Sequence, residues 1–321
     1  MNKKTKYCFG YWTILFVLLI LSSIACNDED KFPVFTEEDN EKVTEEEEVG
    51  TDDTNEEEMV RLCNDCIIYD YNGIQREYIV HVPDNLPENA PLIFILHGSD
   101  GIAENYPGWF QMNEIADENG FAVAYPQGLP GLGAKSHWNA GLIGTNVDDV
   151  GFLSALAQSL QEQYKLSSEK TFTSGYSNGA FMSYELVAER PDVFKAAASL
   201  NGTMSGKTWD DRSKIGPVPI LQLSGALDDV IPIDGSLNTP DGLGGAPDIK
   251  TVTDFWSELN TCATVDTVQV TPNTIAYKYT DGIDGNEVWY YLLADFGHEF
   301  PLGEDDNIHT SALIWEFFSR F

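Results

Sequence analysis

The most chemically informative segment of the chain is 175–179, Gly-Tyr-Ser-Asn-Gly, which has the spacing Gly-x-Ser-x-Gly around Ser177. It lies between an apolar run typical of a strand, 171–177, and a segment with helical periodicity, 178–190. A serine on a sharp turn between strand and helix projects its hydroxyl beyond the sheet, and glycines two positions away leave room for the crowded backbone. The pattern predicts that Ser177 is a nucleophile, with an ordinary strand-to-helix turn as the alternative.

A nucleophilic serine needs a base, because its own hydroxyl barely ionises at neutral pH. Where this turn carries the nucleophile, an acid and then a histidine follow it along the chain. Four of the five histidines are disfavoured, because they lie inside a predicted strand, before the serine, or at the start of a helix: His81, His97, His137 and His309. The expected base is therefore His298, in a loop directly after the predicted strand 288–294.

The acid is expected in the loop after the strand that follows the nucleophile's helix. Segment 219–229 ends in two neighbouring carboxylates, Asp228 and Asp229. A carboxylate bonded to the imidazole fixes its tautomer and stabilises its protonated form. Spacing alone leaves both aspartates open, whereas Asp254 falls within a predicted helix and is expected to be exposed.

An oxyanion hole would complete a site for acyl transfer, and it needs two backbone N–H groups aimed at the developing negative charge. One is expected from Asn178, the residue after the nucleophile. The other is expected at Ser99, in the glycine-rich loop 97–101 that follows an early predicted strand. No metal or organic cofactor is needed for this chemistry.

The scaffold for these residues is predicted from the alternation of strands and helices. A hairpin at Asn72-Gly73 comes first. The predicted strands are 91–98, 121–128, 171–177, 196–202, 219–229 and 288–294, and the predicted helices are 107–120, 150–164, 178–190, 248–260 and 309–321. This order predicts a mostly parallel sheet covered by helices on both faces. In such sheets the chemistry lies in the loops beyond the carboxyl ends of the strands.

The charge of the chain is strongly negative and unevenly distributed. Its formal net charge is -34, and residues 27–59 hold sixteen Asp or Glu against two Lys. Such a surface repels phosphates, so we expect no nucleic-acid partner. Low hydrophobicity and blocks of like charge predict a disordered acidic tether over 26–60, followed by a catalytic domain over 61–321.

The first 25 residues have the pattern of an export signal. Lysines in the first six residues precede an uncharged apolar run, 11–25, which is too short to span a bilayer. Cys26 follows directly, as in a bacterial lipobox, and the next residues are acidic. We expect a lipoprotein signal peptide over 1–25, lipidation of Cys26, and a location outside the cell or on the outer-membrane surface. Plain secretion is the alternative.

Three further cysteines are expected in an oxidising compartment, where disulfides persist. They are Cys63, Cys66 and Cys262. A second Cys-x-x-Cys pair for a zinc ribbon is missing, so one structural disulfide is the expected state. Three pairings are possible, and the sequence does not choose among them.

Several segments in this order resemble one known family. They are LHGSDG at 96–101, WNAG at 138–141, VDDVGFL at 147–153, GYSNGAFMSYELV at 175–187, SGALDDVIP at 224–232 and GHEFP at 297–301. The chain is similar, from about residue 65 to its C-terminus, to the polyhydroxybutyrate depolymerase and feruloyl esterase family of secreted α/β-hydrolases. That group overlaps with carbohydrate esterases that remove feruloyl or acetyl groups from xylan.

The resemblance implies a catalytic triad of Ser177, Asp228 and His298, and it favours Asp228 over Asp229 by the family's spacing. It implies that His97 is structural. It places Trp138 near the substrate cleft, where its ring could stack on an aromatic or sugar ring, with a core position as the alternative. The adjacent Asp148 and Asp149 would cap a helix or fix a loop.

Two departures from the family pattern lie beside the expected cleft and bear on substrate choice. Ser99-Asp100 stands where the family often has Gly or Cys, and Phe300 stands where it often has Trp. The expected fold is an α/β-hydrolase fold with a mostly parallel sheet and an N-terminal antiparallel hairpin. The expected activity is that of a monomeric serine ester hydrolase acting on feruloyl or acetyl esters of polysaccharide or on a polyester. A peptidase of the same fold and a non-catalytic polymer-binding lipoprotein are the alternatives.

Overall fold

The computed structural model describes residues 61–131, 134–142, 146–236, 247–303 and 307–321. The predicted signal peptide 1–25, the lipidation site Cys26 and the tether 26–60 lie outside these residues. Within the described ranges, no helix is both long and apolar enough to cross a membrane.

Ten of the strands in the described residues form one twisted sheet, in the order β1-β2-β4-β3-β7-β8-β9-β12-β11-β10. The sheet strands are β1 Ile67–Tyr71, β2 Ile74–His81, β3 Leu92–Leu96, β4 Ala122–Gln127, β7 Thr171–Tyr176, β8 Ala197–Leu200, β9 Ile220–Gly225, β10 Thr264–Thr271, β11 Thr274–Thr280 and β12 Val288–Leu293. A small hairpin pairs β5 Leu129–Gly131 with β6 Ala134–His137.

The centre of the sheet is parallel and its two margins are antiparallel. Strands β4, β3, β7, β8, β9 and β12 run parallel, whereas β1-β2 and β10-β11 are antiparallel hairpins. In the first hairpin Asn72 and Gly73 both have positive φ, 55° and 80°, as a tight two-residue turn requires. The predicted fold class and the N-terminal hairpin are confirmed.

Helices cover both faces of the sheet. They are α1 Tyr106–Phe110, α2 Met112–Asn119, α3 Asp149–Tyr164, α4 Asn178–Glu189, α5 Gly206–Asp210, α6 Ile249–Leu259 and α7 Thr310–Phe318. One apolar core packs α3, α4 and α6 against the sheet through Phe152, Phe181 and Trp256. A second core packs α1, α2 and α7 against the other face through Phe110 and Phe317. All-apolar strands such as β3, buried along its whole length, are what this sandwich requires.

Two local features differ from the sequence-based expectation. The helix predicted over 107–120 is two helices, because Gln111 adopts a left-handed conformation with φ 54° between α1 and α2. The hairpin of β10 and β11 was not predicted; β10 forms the exposed edge of the sheet and buries almost nothing. The Gly120 stop is confirmed, since it caps α2 with φ 75°.

One disulfide forms among the three cysteines of the described residues. Cys63 and Cys66 form a disulfide, with an S–S distance of 2.03 Å, and Cys262 is free. The pair closes only a short loop at the start of the described domain. Its neighbour Arg61 donates to the carbonyl of Cys66 and to Glu77 Oε1 on β2, which holds this segment against the sheet.

Candidate active site

Ser177 occupies a strained turn between β7 and α4. Its backbone has φ 53° and ψ -119°, a conformation that side-chain-bearing residues rarely adopt. The turn is held by a hydrogen bond from Ser177 N to Leu200 O, 2.9 Å long, at the end of the neighbouring strand β8. The hydroxyl is thereby placed at the carboxyl edge of the parallel sheet.

The glycines on either side of this turn have no room for a side chain. A Cβ on Gly175 would lie 2.3 Å from the carbonyl carbon of Gly179, and a Cβ on Gly179 would lie 2.3 Å from Leu96 O. Such distances are far inside van der Waals contact. The close approach of β7, α4 and β3 is the physical reason for the Gly-x-Ser-x-Gly spacing.

The structure brings Ser177, His298 and Asp228 into one chain of hydrogen bonds. His298 Nε2 lies 3.0 Å from Ser177 Oγ, and His298 Nδ1 lies 2.8 Å from Asp228 Oδ2. The Asp228 side chain is 1% exposed and that of His298 17%. Of the two candidate aspartates, Asp228 makes this contact, while Asp229 is exposed.

The loop after β9 holds the Asp228 carboxylate in place. Its second oxygen, Oδ1, accepts hydrogen bonds from Val230 N at 2.9 Å and Ile231 N at 2.8 Å. The carboxylate therefore has no freedom to rotate away from His298. Two backbone donors also compensate for the loss of water around this buried charge.

The loop that carries His298 is fixed by two side chains that the sequence did not point out. Tyr176 OH donates to His298 O, and Asn201 Nδ2 donates to Glu299 O at 2.7 Å. Burial, with Asp228 and Glu299 nearby, raises the pKa of Tyr176 to about 12, so its hydroxyl stays a donor. Asn201 Oδ1 also accepts from Gly225 N at 3.0 Å, which ties the base loop to the strand that leads to the acid.

The backbone N–H groups expected to form an oxyanion hole are those of Asn178 and Ser99. Among the described residues neither N–H donates to another protein atom. The loop of Ser99 lies against Ser177, because a Cβ on Gly98 would be 3.3 Å from Ser177 Cβ. Gly98 N itself donates to Tyr106 OH at 2.7 Å, which anchors this loop to α1.

Trp138 is not a substrate-stacking residue, and that expectation is wrong. Its side chain is 1% exposed and its ring lies 4.7 Å from that of His97. Its indole Nε1 donates to His97 O at 2.9 Å. The Asn178 side chain makes two hydrogen bonds to the main chain of Trp138. It accepts one from Trp138 N at 2.7 Å and donates one to Trp138 O at 3.1 Å. Trp138 thus links the loop of Ser99 to the start of α4.

His97 is buried and fully engaged, as the resemblance implied. Its Nε2 accepts from Gly128 N at 2.8 Å, so Nδ1 carries the proton and donates to Gly98 O at 2.7 Å. Burial lowers the pKa of His97 to about 4. The neutral ring therefore acts as a spacer behind the loop of Ser99 and takes no part in proton transfer.

A buried ion pair stands behind Trp138. Arg76 Nη2 on β2 donates to Asp149 Oδ1 at 2.7 Å, and both side chains are 1% exposed. Asp149 Oδ2 accepts from Asn139 N at 2.8 Å, so Asp149 fixes the segment that carries Trp138. Asp148 caps α3 by accepting from Gly151 N at 2.8 Å. Of the two expected roles, Asp148 thus has the capping one and Asp149 the loop-fixing one.

No group of three or more His, Cys, Asp or Glu side chains in the described ranges is placed to hold a metal ion. His309 is the N-cap of α7, and His81 pairs with Asp117 at 2.7 Å, so neither lies with the triad.

Comparison with known proteins relates the chain to esterases. The family model for esterase PHB depolymerase (PHB, polyhydroxybutyrate) matches residues 77–272. Feruloyl esterase C of Emericella nidulans is 28% identical over 261 residues, covering 77% of this chain and 86% of the relative. The bifunctional acetylxylan esterase/xylanase XynS20E of Neocallimastix patriciarum is 30% identical over 258 residues, covering 78% of this chain and 34% of that larger protein.

Among solved structures, the acetyl xylan esterase from Aspergillus awamori superposes with a TM-score of 0.59 at 17% identity, covering 77% of this chain and 94% of that one. At this identity the likeness shows the fold, which is that of an α/β-hydrolase. The matched family segment runs from β2 across the nucleophile turn to β10. The chain therefore belongs to the esterase PHB depolymerase family and is a carboxylic-ester hydrolase.

Proposed function

We propose that the chain hydrolyses carboxylic esters through an acyl-enzyme on Ser177, with His298 as base and Asp228 as its orienting acid. The observation that carries this proposal is the continuous path from Asp228 Oδ2 through both ring nitrogens of His298 to Ser177 Oγ. Each of the three side chains follows its own strand at the same edge of the sheet. A nucleophile, a base and an orienting group in this contact are what covalent catalysis by serine requires.

In the first step Ser177 Oγ attacks the ester carbonyl carbon while His298 Nε2 takes the hydroxyl proton. The carbonyl oxygen becomes an oxyanion, and the backbone N–H groups of Asn178 and Ser99 are the donors proposed to stabilise it. The intermediate collapses when the C–O bond to the alcohol breaks and His298 returns its proton to the leaving oxygen. Water then attacks the acyl carbonyl carbon with His298 again as base. The bond from that carbon to Ser177 Oγ breaks, His298 returns its proton to Oγ, and the free acid leaves.

The proposed substrates are feruloyl or acetyl esters of plant polysaccharide, with polyhydroxybutyrate-like polyesters as the second class. Support for the first class comes from the relatives, which carry the names feruloyl esterase and acetylxylan esterase. The second class is supported by the name of the family model. The chemistry is the same in each case, because all these bonds are oxygen esters open to acyl transfer.

The proposed site of action is outside the cytoplasm, with the catalytic domain attached to a membrane by a lipid on Cys26. The sequence pattern of the first 26 residues supports export and lipidation. The disulfide between Cys63 and Cys66 supports it independently, because such bonds persist in oxidising compartments. Radiolabelled palmitate should label the wild-type chain in a bacterial host, and Cys26→Ala should remove the label.

The function is tested with the purified domain and a Ser177→Ala variant. The wild-type protein should hydrolyse a nitrophenyl ester and react with a fluorophosphonate probe, and the variant should lose both by at least about a thousandfold. Retention of most turnover by Ser177→Ala would refute the nucleophile. A wild-type protein that neither labels nor turns over would instead be a binding protein. A panel of methyl ferulate, acetylated xylan, a hydroxybutyrate oligomer and a peptide amide then separates the substrate classes from a peptidase.

A further inference from the structure

Trp109, on the short helix α1, is an exposed aromatic residue beside the triad. Its side chain is 39% exposed, and among the described residues it is the only aromatic among the large apolar side chains left exposed. A tryptophan combines a large apolar ring with an N–H donor, so an exposed one beside the triad is suited to contact a ligand.

The ring of Trp109 packs against the segment that carries Ser177 and against the loop that carries His298. It lies 4.9 Å from the ring of Tyr176, which immediately precedes the nucleophile, and 4.9 Å from Phe300, two residues after His298. Tyr176 in turn lies 5.0 Å from the His298 ring. Trp109 therefore lies one aromatic ring away from His298, on the side of the site formed by Tyr176 and Phe300.

The indole is also rigid. It packs edge-on against Tyr106 at 5.1 Å and against Phe110 at 5.7 Å, in addition to its contacts with Tyr176 and Phe300. Four rings thus fix its orientation before any ligand arrives, so stacking on it costs little conformational entropy. Its indole N–H donates no hydrogen bond within the described part of the chain, which leaves it free for a polar group of a ligand.

We infer that Trp109 is a specificity-determining residue that stacks on a planar aromatic acyl group, such as a hydroxycinnamoyl group. The inference rests on the proposed ester hydrolysis at Ser177 and adds the acyl class that the site prefers. An aromatic acyl group offers a flat π surface that can pack on an exposed indole, whereas an acetyl group offers none.

We assign the acyl group, rather than the alcohol, to Trp109 because Trp109 is linked through α1 to the loop of Ser99. Trp109 shares α1 with Tyr106, whose hydroxyl accepts the hydrogen bond from Gly98 N next to Ser99. A group stacked on Trp109 is therefore held in a fixed position relative to the carbonyl oxygen. The acyl group stays bound to Ser177 through both steps, while the alcohol leaves after the first.

The test compares three small esters and three variants. Methyl ferulate and methyl acetate share the alcohol and differ in the acyl group, while phenyl acetate carries the aromatic ring on the alcohol. Trp109→Ala should lower kcat/KM for methyl ferulate by about tenfold or more and change the two acetates by no more than about twofold. Trp109→Phe should restore most of the preference, because it keeps an aromatic ring. Thermal unfolding of each variant checks that it is folded.

Leu227→Ala is the matched control, since Leu227 is an exposed apolar side chain beside Asp228 but is not aromatic. It should affect methyl ferulate and methyl acetate equally. The inference is overturned if Trp109→Ala lowers kcat/KM for all three esters alike, if it lowers kcat/KM for phenyl acetate alone, or if Leu227→Ala shows the same selectivity.

Failure of the inference and failure of the proposed function give different results. A wild-type protein that reacts with fluorophosphonate and cleaves the acetates, yet shows no dependence on Trp109 for methyl ferulate, is an esterase without this aromatic subsite. If the wild-type protein neither reacts with the probe nor cleaves any of the three esters, both the inference about Trp109 and the proposed function are refuted.

Discussion

The side-chain amide of Asn178 holds the main chain of Trp138 at both its N–H and its carbonyl, at 2.7 and 3.1 Å. Asn178 also contributes the backbone N–H proposed for the oxyanion hole. In the proposed mechanism, one residue thus supplies a donor to the reaction and also fixes the position of that donor against a buried tryptophan.

Asn178→Ala should therefore impair catalysis although its backbone N–H remains. Loss of both contacts lets the start of α4 move, and small misplacement of a catalytic group costs about 100-fold in rate. We expect kcat for a nitrophenyl ester to fall by about that factor while KM changes little. Asn178→Asp, which keeps an acceptor for Trp138 N, should be less impaired. Equal and full activity in both variants would contradict this role.

The buried pair Arg76–Asp149 should contribute strongly to folding stability. Removing one partner leaves the other charge buried and unpaired, so Asp149→Ala should lower the free energy of unfolding by about 3–5 kcal/mol. Urea unfolding measures this. The exposed pair Lys165–Glu88 is the control, since its side chains are 73% and 75% exposed and Glu88→Ala should cost no more than about 0.5 kcal/mol. A double variant Arg76→Met, Asp149→Leu should lose less than the sum of the two single variants.

His97 should make stability depend on pH in acid. Its pKa is lowered to about 4 in the folded chain by burial. An unfolded histidine binds a proton below about pH 6.5, so the unfolded state is favoured as pH falls from 6.5 towards 4. This contribution is fully present above pH 6.5, and about 3 kcal/mol of stability is lost at the acid end of that window.

The measurement is urea unfolding of the wild type and of His97→Gln at several pH values between 4.5 and 7.5. The carboxylates titrate in both proteins, so the difference in slope isolates His97. A wild-type slope that persists unchanged in the variant would show that other groups cause it.

The contact between Gly179 and Leu96 predicts a large effect of one methyl group. A Cβ at Gly179 would meet Leu96 O at 2.3 Å, so Gly179→Ala must push α4 away from β3 and displace Ser177. We expect loss of at least 100-fold in kcat/KM and a lower midpoint of thermal unfolding. Gly216→Ala is the matched control, because nothing lies within 4 Å of a Cβ at that position. Similar behaviour of the two variants would refute the steric argument.

The parallel centre of the fold could be predicted because its strands are buried on both faces. A run such as Leu92–Leu96 leaves no doubt about burial, and Gly120 marks the end of α2. Strand β10 escaped prediction for the opposite reason. It lies at the exposed edge of the sheet, so its sequence carries no burial pattern. The break at Gln111 was equally hidden, because glutamine gives no signal of a left-handed conformation.

The order of Ser177, an aspartate at 228 or 229, and His298 could be inferred from the chain, since each follows its own strand. Asp228 was favoured over Asp229 only by the family resemblance. The side chains that hold these three residues in place could not be predicted. The amide of Asn178 and the hydroxyl of Tyr176 act on residues that are distant in sequence, and nothing local indicates their partners. Trp138 was misjudged because residue type does not tell which side of a loop faces the core.

The backbone of Ser177 has φ 53° and ψ -119°. At this position, selection for stability and selection for activity favour different residues. Glycine would relax this turn, and it would also remove the hydroxyl proposed as the nucleophile. Selection of variant libraries for heat resistance alone would therefore enrich inactive variants with glycine at this position. Evolution of a hardier catalyst from this chain has to be screened by turnover, with position 177 held constant.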